Sequence, residues 1–262
     1  MRKWTAVAKA FERYLRLRTF PVAFKLFESA TALDGIKGIR RPDYMPRMCQ
    51  LITLARVHGW TLGVTKEQLG SLACASIIGL CEPPKELIEG KALSGILYKT
   101  AKDAKEHEMA IPRLPAGKYK ALAVAPLAGN KFDPDIILIY GNPTQIFVLI
   151  AAIQWENFEP LQFYCVGESS CSDAITRCYL TDRPSIGIPS YAERRYGHAQ
   201  DDEMVMALPG TSIDKVLRGL KGIYKGGIRY PIPCWGAQAS APSLLQKGTT
   251  NVSNRSSGIP PF

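Results

Sequence analysis

The sequence predicts an α/β fold, a mixed sheet with helices packed on it, and three observations predict it. Short apolar runs of strand type recur along the chain, at residues 22–27, 119–126, 136–140 and 204–208. Between them lie stretches whose apolar residues return at helical spacing. The 262 residues, 46% apolar and 21% charged, suffice for one domain with a real core and lack the composition of a disordered chain. Residues 1–224 read as a single α/β domain. Residues 225–262, rich in Gly, Pro and Ser, read as an irregular tail packing on its surface.

Taken in order, Trp4, Val7, Ala8, Phe11 and Leu15 form an apolar stripe over residues 1–18, with Arg2, Lys9, Arg13 and Arg16 off it; this predicts a docked amphipathic helix. Pro21 ends it, and Val22, Phe24 and Leu26 share one face of a strand. Residues 30–46 are a basic loop. Helical periodicity over 51–56 stops at His58-Gly59-Trp60, and a short strand follows at 60–64. Thr65-Lys66-Glu67-Gln68 is a capping box opening a helix to about residue 78. Residues 87–105 read as helical, 119–126 as a strand and 136–140 as a fully buried strand. Gly141-Asn142-Pro143 makes a bend into an almost wholly apolar helix at 144–155. The apolar run 161–166 reads as a further buried strand, which completes a strand–helix–strand crossover. Gly167-Glu168-Ser169-Ser170 then turns into a helix near Cys171, capped by Ser169 or Ser170. A short strand at 185–189, a basic loop with Glu193, Arg194, Arg195 and His198, the acidic triplet Asp201-Asp202-Glu203 and a strand at 204–208 follow. The last helix spans 211–223.

Composition narrows the function classes. The net charge is +10, but the basic residues are spread along the chain and no helix-turn-helix, zinc-finger or RNA-binding signature occurs, so no nucleic-acid partner is expected; a small anionic molecule is. No apolar run reaches the length of a membrane span. No export signal is evident, which predicts a cytoplasmic setting where the seven cysteines stay reduced as thiols or metal ligands. No P-loop and no G-x-G-x-x-G motif supports nucleotide binding.

Several local patterns, in order, resemble one family. They are Pro21-Val22-Ala23-Phe24-Lys25-Leu26, Arg47-Met48-Cys49-Gln50, Ala73-Cys74 leading to Gly79-Leu80, Pro134-Asp135-Ile136-Ile137 and Asn142-Pro143-Thr144-Gln145, then Cys171-Ser172-Asp173-Ala174, Arg194-Arg195 and Asp201-Asp202-Glu203. Over residues 19–220 the chain resembles the domain of unknown function 169 family, found mainly in archaea and anaerobic bacteria. The resemblance implies a fold and a habitat without a reaction, and it supports Cys49, Cys74 and Cys171 as ligands of a shared centre. The family often carries a further cysteine near position 190, where this chain has Ser190.

The chemistry then has three readings. No C-x-x-C pair exists, so a zinc ribbon or ferredoxin motif is absent; scattered cysteines can still hold an iron–sulfur cluster or another thiolate-bound metal, with Arg47, Asp201 and Asp202 as further contacts to the cofactor. Cys165 and Cys178 read as small buried hydrophobes. Alternatively, Cys171 at a helix N-terminus is a thiolate nucleophile with backbone donors at hand and His198 as its base. Arg194 and Arg195 are either a clamp for carboxylate or phosphate, oriented by Asp201 or Asp202, or an exposed salt-bridged loop. With strands 161–166 and 185–189 as parallel neighbours, Cys171 and the arginines would emerge at one sheet edge and line one cleft.

Overall fold

The computed structural model describes residues 2–168 and 170–232. Its centre is a six-stranded sheet: β1 (Val22–Phe27), β2 (Leu62–Thr65), β3 (Ala121–Pro126), β4 (Ile136–Gly141), β5 (Ser185–Gly187) and β6 (Met204–Pro209), in the order β2-β3-β1-β4-β6-β5. The helices are α1 (Arg2–Leu15), α2 (Met48–His58), α3 (Leu72–Ile77), α4 (Lys85–Ile88), α5 (Ala101–Ala110), α6 (Pro143–Ile153), α7 (Arg177–Thr181), α8 (Tyr191–Gly197) and α9 (Ile213–Lys225). The α/β class follows directly: strands buried on both faces need a helical layer on each.

Alternation along the strands builds the two cores. Val22, Phe24 and Leu26 of β1, with Leu138 and Tyr140 of β4 and Val205 and Ala207 of β6, pack under α2, α3 and the segment around Cys171. Ala23, Ile137, Ile139, Met206 and Leu208 point the other way, under α1, α6 and α9. Each helix stops where its local chemistry says. Gly59, at φ 70°, closes α2. Asn142 and Gln145 cap α6 reciprocally (2.9 and 2.8 Å), and the Gln145 amide also donates to the Leu15 and Arg16 carbonyls at the end of α1.

Every strand pair is antiparallel. The parallel neighbours predicted at 161–166 and 185–189 therefore do not form. β4 is flanked by β1 and β6, and β5 pairs only with β6, so residues 161–166 do not join the sheet beside either strand. That stretch is irregular and lies on the surface, with Phe163 54% exposed and Tyr164 under the Arg177 guanidinium at 4.8 Å.

Three helical expectations change as well. The Thr65 box closes only a 3₁₀ turn (Lys66–Gln68); Gly70 bonds the Pro46 carbonyl, and Ser71 starts α3 afresh. The helix predicted at 87–105 is two, α4 and α5, separated by turns at Gly90 and Gly95, both at positive φ. The predicted basic loop at 193–198 is α8, capped by Ser190 with Glu193. Of the predicted tail, residues 225–232 are described, and Tyr230 packs on the α1–α6–α9 core and accepts a 2.9 Å bond from Asn142. Residues 233–262 of the tail, and Ser169 as a predicted cap, lie outside the described residues. Among the described residues, no helix is long and apolar enough to cross a membrane.

Candidate functional site

Three cysteines lie on the α2 side of the sheet, Cys74 and Cys171 paired and Cys49 close enough to feel the charge of Cys74. Cys49 sits in the first turn of α2, whose N-terminus is closed by the Arg47 amide bonding Gln50 Oε1 at 2.8 Å. Cys74 occupies the first turn of α3, its amide on the Ser71 hydroxyl. Cys171 lies in a π-helical turn, Ser170–Thr176, in which every residue is buried. Such turns are rare and cluster at functional sites because they re-aim side chains without ending the helix. Here the turn brings the Cys171 thiol to a hydrogen bond with Cys74, and Cys49 feels the Cys74 charge. Cys49 also donates to the Ala192 carbonyl (3.8 Å) and packs on Gly197 of α8.

Carboxylates complete the centre. Glu193, buried on α8, accepts from the Tyr140 hydroxyl at 2.8 Å and the Ser170 amide at 3.2 Å. Glu168 stands just before the π turn, and Asp173 within it accepts from the Val166 and Gly167 amides at 3.2 Å. The thiol hydrogen bond from Cys171, then that from Ser71, lowers Cys74 to about 7 in spite of burial. Its partner Cys171 is driven well above the ordinary thiol range by the same bond and by burial. Burial, then the Cys74 and Glu193 charges, push Cys49 up to about 12. Burial, then Cys74, Glu108, Asp173 and Glu193, raise Glu168 to about 8. The arrangement thus favours the thiolate at Cys74 over those at Cys49 and Cys171, and favours the protonated form of Glu168.

A second layer fixes this one. Arg56 and Glu203, each 2% exposed, form a double bond pair of 3.0 and 2.9 Å; the guanidinium lies 4.1 Å over the Tyr140 ring and also reaches the His198 carbonyl. Thr53 of α2 donates to the Gly197 carbonyl, tying α2 to α8. A Cβ at Gly197 would sit 2.7 Å from that of Cys49. Gly197→Ala should therefore push α8 off α2 and cost about 1–3 kcal/mol, read as a lower urea midpoint together with faster alkylation of Cys49.

The arginines go elsewhere. Arg194 bonds the Gln200 carbonyl at 2.5 Å and approaches Asp201 at 3.6 Å; Arg195 is exposed and bonds the Tyr191 hydroxyl at 2.8 Å. Asp202 pairs with Arg18 at 2.6 Å, Asp201 is exposed, and the Arg47 guanidinium lies 4.4 Å over the Tyr196 ring. The single cleft predicted for Cys171 and the arginines is thus not built among the described residues. α8 turns its buried face, with Glu193, to the thiols and its arginines to the surface. His198, considered as a base, is exposed at the end of α8, whereas Cys171 is buried. Cys178 is buried as predicted, but Cys165 is exposed on the irregular 161–166 stretch. Glu168, Tyr140 and Arg56 are the members of the site that sequence reasoning missed. Among the described residues, no three His, Cys, Asp or Glu side chains stand ready-made at metal-ligand geometry. By type, the three sulfurs are soft donors and the carboxylates beside them hard ones.

A family model described as Uncharacterised ArCR, domain of unknown function 169, matches residues 10–219. The chain belongs to this family. The matched span includes every residue of the thiol centre and of the Arg56–Glu203 layer. A curated relative, described as an uncharacterized protein of Methanocaldococcus jannaschii, is 27% identical over 203 residues, which cover 76% of this chain and 86% of the relative. No solved structure matches the chain.

Proposed function

We propose that this member of the domain of unknown function 169 family is a cytoplasmic protein of anaerobic metabolism that works through Cys49, Cys74 and Cys171, which together take up a soft metal ion or an iron–sulfur cluster. The observation that supports this reading is the pairing of Cys74 with Cys171, with Cys49 electrostatically coupled to Cys74, on three separate segments and beside Glu168 and Glu193. Each negative group there raises the cost of the next, so a cation would relieve what thiols and carboxylates impose on one another. Uptake would displace protons from Cys49 and Cys171, while Cys74 is already poised as a thiolate. When bound, such a group supplies electron transfer or Lewis acidity. The chain's own residues orient the ligands: Ser71 holds the Cys74 turn, and Glu193, fixed by Tyr140, anchors the π turn through the Ser170 amide.

Anaerobic purification followed by an absorption spectrum and metal and sulfide analysis tests it. Native protein should retain about one centre per chain, with Cys→Ser at 49, 74 or 171 removing most of it and Cys81→Ser leaving it in place. Metal content indifferent to all three substitutions would end the proposal. A second reading, cofactor-free chemistry with Cys74 as nucleophile, is favoured by the hydrogen bond from Cys171. It predicts a metal-free protein in which Cys74 is alkylated near neutral pH and loses that reactivity in Cys171→Ser.

A further inference from the structure

We propose that the groove between α1 and the end of α2 binds a small monocarboxylate with an apolar body, its head at residues 17–19 and its body along Phe20 and Val57. The groove has a volume of about 380 Å³, within the range of about 300–1,000 Å³ usual for small-molecule sites. Its walls are mostly apolar: Ala8, Leu17, Phe20, Pro21, Val57 and Ala128. Phe20 is 49% and Val57 47% exposed, so an apolar ligand laid along them removes surface from water. A second hollow of about 320 Å³ shares Arg18, Thr19, Arg56 and Val57 with the groove, which opens the polar corner from both sides.

The corner between α1 and β1 supplies the head site. It is held at both ends: the Gln145 amide donates to the Leu15 and Arg16 carbonyls at 2.9 and 3.2 Å, and the Phe20 amide donates to the Arg56 carbonyl at 2.8 Å. Between these anchors, the backbone amides of Leu17, Arg18 and Thr19 meet no acceptor among the described residues. All three residues line the groove, and the Arg18 guanidinium stands with them. Free N–H groups beside a planar fork suit a carboxylate, which the fork can hold by two parallel bonds. At present the fork pairs with Asp202 at 2.6 Å, but both side chains are about half exposed, and such a pair exchanges at little cost. Arg56 brings no further free charge, because Glu203 neutralises it. Glu12 lines the groove, and Asp202 and Glu203 stand at its polar end. Their negative charge opposes a dianion, so the corner selects a head with a single charge. This inference does not depend on the reading of the thiol centre.

Calorimetric titration of the full native chain with octanoate, octan-1-ol and inorganic phosphate tests it. Octanoate should bind once per chain with a Kd of about 0.5 mM or tighter. Octan-1-ol, which lacks the charged head, should bind at least roughly tenfold more weakly. Phosphate should neither bind nor compete. Arg18→Gln should weaken octanoate about tenfold and spare octan-1-ol. Val57→Trp, which fills the groove, should remove both, whereas Arg195→Gln, on the surface of α8, should change neither. A measurement on native protein needs no variant to fold: a diazirine analogue of octanoate should label the peptides carrying Phe20 and Val57, and excess octanoate should protect them. Equal affinity for acid and alcohol, displacement by phosphate, labelling away from these residues or weaker octanoate binding would each overturn the proposal.

Discussion

Replacing Glu203 by alanine should lower stability by about 3–5 kcal/mol, the range for stripping one partner from a buried ion pair. Arg56 cannot give up its proton, so the substitution leaves a full charge in a place where it is 2% exposed. What remains to it is the Tyr140 ring at 4.1 Å and the His198 carbonyl at 3.2 Å, which do not replace a carboxylate. Replacing both partners, as Arg56→Met with Glu203→Leu, should cost far less, because neither charge is then left to be hidden. Urea titrations of the single and double variants decide this: the midpoint should fall steeply in the first and little in the second, with similar slopes. A Glu203→Ala loss below about 1 kcal/mol would mean that water reaches Arg56 and that the pair is not a sealed one. The double variant also separates the pair's two roles, since it removes the cation that stacks on Tyr140 while leaving the Tyr140–Glu193 bond in place.

Much of the fold was legible because its segments obey one rule at a time. The stripe Trp4, Val7, Ala8, Phe11 and Leu15 is a helix face, and Val22, Phe24 and Leu26 are a strand face, whatever they pack against. Residues 161–166 failed because an apolar run is only compatible with a buried strand; the place beside β4 goes to β6, which lies further along the chain. α8 was missed although its signal was present: Ser190-x-x-Glu193 is a capping box, overlooked beside the charges of Arg194 and Arg195. The thiols could be picked out individually, by resemblance. What surrounds them could not, since Arg56 and Glu203 are 147 residues apart and carry no local mark of their pairing. The same holds for Tyr140, which reads as one more apolar strand residue until Glu193 is seen to meet its hydroxyl.

Glu168→Gln should flatten the pH dependence of stability between about pH 4.5 and 7. In the native protein burial, then the neighbouring Cys74, Glu108, Asp173 and Glu193, raise this carboxyl to about 8, whereas in the unfolded chain it titrates near 4.5. Between those values the native state holds a proton that the unfolded state has released. The stabilising contribution is therefore complete below about pH 4.5 and is lost as pH rises toward 8. One proton's difference sets a limiting slope of about 1.4 kcal/mol per pH unit, so native protein should lose a few kcal/mol across the window. Asp173, also raised by burial, adds a loss of the same sign that starts lower. Cys74 works the other way: its depressed value of about 7, against 9.0 when unfolded, adds stability as pH climbs from 7 to 9 and masks Glu168 at the upper end. Both proteins retain Asp173 and Cys74, and below pH 7, where Cys74 is still mostly protonated, Glu168 dominates the difference between them. Plotted against pH, that difference should favour the variant increasingly from 4.5 to 7, since a neutral amide takes the place of a carboxyl that resists ionising. A difference that stays constant over this range would show Glu168 ionised in the folded state, and with it a centre that carries negative charge before Cys74 ionises.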